Sequence, residues 1–90
     1  MSKFLINSAG TLGFFTSNTE RIKIVDGGNV GIGATTPGDK LTVQGNISGS
    51  SDLCLVDNGK IRLGDSSDLE IYHDGSESYI EDKGTGRLFG

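Results

Sequence analysis

The chain has 90 residues, a formal net charge of −4 and 33% hydrophobic residues, so it holds one small domain at most and little core. Gly is commonest at 15, then Ser at 10 and Asp at 8; Ala occurs twice. That balance disfavours helix, because Gly costs about 1 kcal/mol per helical position relative to Ala.

The apolar residues come as alternating doublets in chain order: Phe4/Ile6, Leu12/Phe14, Ile22/Ile24, Val30/Ile32, Leu41/Val43, Leu53/Leu55, Ile61/Leu63 and Leu69/Ile71. Ile47, Ile80 and Leu88 follow as single anchors. A spacing of two is the period of a strand with one buried face. Turn formers fill the gaps: Asp26-Gly27-Gly28-Asn29, Pro37-Gly38-Asp39, Asn58-Gly59, Asp74-Gly75 and Lys83-Gly84-Thr85-Gly86. No stretch sustains helical spacing. About ten short strands are therefore expected; each advancing by one strand spacing of ~4.8 Å would make a rod on the order of 50 Å long.

An internal repeat reinforces this reading. Ser51-Asp52-Leu53-Cys54-Leu55-Val56-Asp57-Asn58-Gly59 aligns with Ser67-Asp68-Leu69-Glu70-Ile71-Tyr72-His73-Asp74-Gly75 at an offset of 16. Short regular periods signal stacked architectures rather than globules. Two apolar side chains per strand are too few to shelter one another within one chain. Self-association is the expected remedy. Strands turning about every eight residues favour three identical chains wound as a prism, with open edges paired between copies. The expected fold class is all-β: a fibrous homotrimer, a triple-stranded β-helix or β-prism of short strands joined by Gly/Asn/Asp turns. Residues 1–90 are expected to be a single repetitive, shaft-like segment, a fragment or a very short fibre.

Two stretches carry a family resemblance. Gly28-Asn29-Val30-Gly31-Ile32-Gly33-Ala34-Thr35-Thr36-Pro37-Gly38-Asp39-Lys40-Leu41-Thr42-Val43 resembles a segment recurring in bacteriophage tail-fibre and tail-spike shaft proteins. The stretch from Asn58 through Ile61-Arg62-Leu63-Gly64-Asp65 to Asp68-Leu69-Glu70-Ile71-Tyr72-His73-Asp74-Gly75-Ser76 is similar to a second repeat of such fibres. The resemblance implies a structural virion component, a trimeric tail-fibre shaft that takes part in host attachment and receptor recognition. Its expected partners are copies of itself, other virion tail proteins and a host-surface glycan. It is expected to be made in the host cytoplasm without a signal peptide. The alternatives are a polysaccharide-degrading tail spike and a monomeric β-solenoid binding module of a bacterial surface protein.

Composition narrows the chemistry further. An acidic chain lacks the basic face that nucleic-acid binding requires. No apolar run approaches the roughly 20 residues that span a bilayer, so membrane insertion is not expected. The single cysteine, Cys54, excludes an intrachain disulfide and a Cys-based metal finger. Gly31-Ile32-Gly33 lacks the third glycine and the helix of a dinucleotide fingerprint, and no cofactor is expected.

His73 shares parity with Leu69 and Ile71, so it is expected to point inward. In a threefold rod three copies would converge on the axis and suit a metal or an anion. The plainer alternative is a hydrogen-bonded turn histidine. Tyr72 and Tyr79 fall on the outward parity near Glu70, Asp74, Glu77 and Glu81, an arrangement suited to stacking a sugar ring. Tyr is also an ordinary strand-surface residue. The aspartates lack a calcium-loop pattern and are expected to cap their own turns. Cys54 has no evident base partner and is read as incidental. With one histidine no nucleophile–base–acid set is expected, hence no enzyme. Glu70, on the outward face, is expected to be an exposed charge whose replacement leaves assembly unaffected.

Overall fold

The structure, a computed structural model, describes residues 2–6 and 9–89; these are all-β, with no helix. The chain divides into two compact units, Met1–Ser48 and Gly49–Gly90. The first holds β1 (Lys3–Ile6), β2 (Leu12–Thr16), β3 (Thr19–Ile24), β4 (Val30–Ile32) and β5 (Leu41–Val43) in one open sheet, in sequence order. The second holds β6 (Lys60–Leu63), β7 (Leu69–His73) and β8 (Ser78–Asp82) in a three-stranded open sheet.

In the first sheet β1 to β4 form an antiparallel meander, and register aligns the doublets across it. Leu12 lies opposite Ile6 and Ile24, and Phe14 opposite Ile22. Ile24 lies opposite Val30, and Ile22 opposite Ile32. The last pairing is parallel: Val30 against Leu41 and Ile32 against Val43. Paired residues share a face, so the apolar residues of these doublets form one surface. The eight residues 33–40 make the return, shorter than the dozen or so that parallel crossovers usually need. Hydrogen bonds from Val30 N–H to the Lys40 carbonyl (2.8 Å) and Gln44 N–H to the Ile32 carbonyl (2.9 Å) close its ends.

The turns follow local chemistry. Ser17 and Asn18 link β2 to β3 as a two-residue loop, both with positive φ (50° and 59°), whose twist matches that of the strands. Gly31 is needed for close approach: a Cβ there would strike the backbone carbonyl of Ala34, and Gly33 beside it has φ +73°. Gly31→Ala is therefore expected to destabilise this sheet by about 1–3 kcal/mol, the usual cost of overpacking. Urea denaturation checks this: the midpoint should fall with the slope unchanged. An unaltered midpoint would mean that the 33–40 return gives way freely.

In the second sheet Leu63 pairs with Leu69, Ile61 with Ile71 and Ile71 with Ile80, again a single apolar face. The opposite face carries Lys60, Arg62, Glu70, Tyr72, Tyr79 and Glu81. Asp74 shapes the β7–β8 turn by accepting backbone N–H bonds from Ser76 (2.9 Å) and Glu77 (2.8 Å).

Three expectations change. Eight strands, not about ten, form among the described residues. The Leu53/Leu55 doublet is not a strand, so the two copies of the internal repeat adopt different structures. Glu70 is not an exposed charge; it is the buried polar residue at 4% exposure, while no Val, Leu, Ile or Phe side chain is buried among the described residues. Lys60, Arg62 and Lys83 close around the Glu70 carboxylate, whereas Ile61, Leu63, Ile71 and Ile80 on the other face are exposed.

Candidate functional site

Among the described residues, the polar face of the second sheet carries an organised side-chain cluster, and strand alternation builds it. Lys60 and Arg62 share parity on β6, Glu70 and Tyr72 on β7, Tyr79 and Glu81 on β8. Register places Arg62 opposite Glu70, and Tyr72 between Lys60 and Tyr79. Glu70 Oε1 accepts from Lys60 Nζ at 3.1 Å, and Oε2 from Arg62 Nε at 3.2 Å. Lys83 Nζ completes the surround at 3.5 Å. The hydrogen bond from Lys60, with the nearby charges of Lys83 and Arg62, outweighs burial and holds the Glu70 carboxyl below its ordinary range.

The two tyrosines stack with ring centroids 4.7 Å apart and planes 16° from parallel. Lys60 Nζ lies 4.4 Å from the Tyr72 centroid, within cation–π range. Tyr72 Oη donates to Glu81 Oε1 at 2.8 Å, and Tyr79 Oη lies 3.0 Å from Asp74 Oδ2 and 3.1 Å from Glu77 Oε2. Tyr72 and Tyr79 thus stand beside the carboxylates anticipated from sequence. Both are half-buried rather than open, with their hydroxyls engaged.

The acceptor carboxylate at Glu81 pushes the Tyr72 phenol up to about 12 from its ordinary 10.0. The Tyr79 phenol is raised by Asp74 and then Glu77. Asp74 is lowered by the backbone N–H groups of Glu77 and Ser76. Because the folded state favours neutral Tyr72, its contribution is present below pH 10 and is lost as pH climbs from 10.0 through about 12. Phenolate absorbance should therefore show a tyrosine ionising late, near 12, that Tyr72→Phe removes. Two phenols titrating together at the ordinary value would contradict the Tyr72–Glu81 bond.

His73 lies on the other face, in the register row of Leu69 and Ile71, as parity anticipated. Its Nδ1 is 2.9 Å from Ser78 Oγ, directly across the hairpin. Among the described residues no three His, Cys, Asp or Glu side chains form a metal-binding group. Cys54 is exposed. Sequence reasoning missed the cations around Glu70. The signal was available, since Lys60 and Arg62 alternate with Ile61 and Leu63 and so oppose the Glu70 face.

The polar face supplies cross-strand ties between β6, β7 and β8. No family model matches this chain, and no curated protein or solved structure matches it.

Proposed function

We propose that this protein is a structural, self-associating β-fibre segment: a homotrimeric tail-fibre shaft of a virion. It joins other tail proteins and helps present the particle to a host-surface glycan. One observation carries the self-association: both sheets leave aliphatic side chains of their apolar face exposed, while the buried side chain of the second sheet is the charged Glu70. Ile80 is 63% exposed and Leu41 57%, against 4% for Glu70. Aliphatic rows of this kind are stabilised when removed from water, by about 25 cal/mol per Å². Identical copies supply a matching surface without any further component. The virion role rests on the resemblance of the 28–43 and 58–76 segments to phage fibre shafts.

The parallel β4–β5 step, with Val30 opposite Leu41, favours a second reading, a solenoid-like binding module that stays monomeric. Light scattering on the purified chain separates the two. One chain weighs 9.4 kDa, and three together weigh about 28 kDa. The three-chain mass supports the shaft; a folded, dilute species of one-chain mass overturns it.

A further inference from the structure

The segment Leu53–Val56 has the composition and alternation of a strand but no ladder partner, with Leu53 77% and Val56 82% exposed. Its repeat counterpart, Leu69–Tyr72, is part of the central strand of the second sheet. Both copies carry Ser-Asp-Leu at the start and Gly at the ninth position, so the difference lies in what each meets. Leu69 to Tyr72 lie between β6 and β8; Leu53 to Val56 join no strand ladder among the described residues. Meanwhile, among the described residues, β6 pairs with β7 alone and presents its other edge unpaired.

We infer that Leu53–Val56 is an assembly strand, added to the open β6 edge of a second copy of this chain. The inference rests on the self-association proposed above and specifies one of its contacts. The repeat dictates the register. Leu69, Glu70 and Ile71 lie opposite Leu63, Arg62 and Ile61. Leu53, Cys54 and Leu55 take the same three partners from the other side of β6. Leu53 and Leu55 then join the apolar face, and Cys54 falls on the face of Arg62.

The chain does not satisfy this edge itself, although the connection is short. Val56–Gly59 is closed as a turn by Gly59 N–H to the Val56 carbonyl (2.8 Å), and Asn58 N–H is tied to the His73 carbonyl at 2.7 Å. With that turn formed, the residues before it still do not pair with β6. A strand and an edge of matching register on the same chain are reciprocal, the relation by which copies exchange equivalent elements.

The single cysteine makes the test direct. Unmodified chains are refolded together with Arg62→Cys/Cys54→Ser chains and treated with diamide, which oxidises facing thiols to a disulfide. A mixed disulfide joining Cys54 of one chain to the introduced cysteine of the other, in up to about half the chains of an equal mixture, is the expected result. Because Arg62 also binds Glu70, hydrogen exchange on the unmodified protein gives an independent reading: the amides of Leu53–Val56 should lose their fast exchange upon assembly. A three-chain mass with neither cross-link nor protection at Leu53–Val56 overturns this inference and leaves the assembly standing. In a separate Arg62→Cys preparation, whose chains carry both cysteines, a disulfide confined within single chains overturns it as well, by placing the strand on its own β6. A one-chain mass overturns both.

Discussion

Ile32→Asp is expected to abolish assembly while leaving the isolated chain nearly as stable as before. Ile32 lies opposite Ile22 and Val43 in the middle of the first apolar face, and it is 43% exposed in the single chain. In a monomer such a position tolerates a carboxylate, since surface substitutions stay within about ±0.5 kcal/mol. In a threefold assembly the same change brings three carboxylates into an apolar interface. Each carries an effective desolvation penalty of several kcal/mol, and every ~1.4 kcal/mol costs a factor of ten in association. Sedimentation should then show only the one-chain species. Leu5 lies opposite Gly13 on the other face of the same sheet, so Leu5→Asp serves as the control that keeps the trimer. Trimers that survive Ile32→Asp would place the interface elsewhere.

Glu70→Lys is expected to disrupt the Gly49–Gly90 unit rather than act as a neutral surface change. A carboxylate held by Lys60, Arg62 and Lys83 ties β6 and β7 to the residue that follows β8. Lysine in its place sets four cations on one face with their shared acceptor gone. Amide exchange across β6, β7 and β8 should accelerate on the order of tenfold or more, as expected when charge-assisted hydrogen bonds are lost. Salt should restore part of the protection, because the screening length falls from about 10 Å at 0.1 M to about 3 Å at 1 M. Equal protection in the variant and the parent at low salt would show that the ion cluster is ornamental.

The same cluster sets an acid limit. Glu70 and Asp74 both have folded-state values below the ordinary carboxylate range. Their contribution is therefore present above that range, near pH 4, and is lost as pH falls through the lowered values. Tyr72 imposes the opposite limit in base, so the second sheet is bounded on both sides by its own polar face.

Much of this was legible in the residues. Side-chain alternation is a property of the extended backbone, so the doublets from Ile22/Ile24 to Leu41/Val43 marked their strands without any knowledge of neighbours. The turns at Gly28, Asn58 and Gly75 were equally local, since a positive φ needs only the right residue at the bend. The cap at Asp74 belongs to the same class, reaching two and three residues ahead.

Glu70 was misread because its surroundings come from two other segments. Lys60 and Arg62 are ten and eight positions away, Lys83 is thirteen, and only strand register brings them together. Tyr72 and Tyr79 looked open for the same reason: alternation gives the side of a sheet but says nothing about what lies on that side.

Sequence alone determined that this protein is all-β, that each strand has one apolar face, and where the chain bends, because these depend on residues within a few positions of each other. Tertiary structure decided which strands find partners, that β5 returns parallel to β4, that Leu53–Val56 joins no ladder despite its repeat, and that Glu70 on the charged face is buried while aliphatic side chains of the apolar face are exposed. Those outcomes depend on pairing between distant segments, where the same short pattern becomes a central strand or a free one according to the edges it meets.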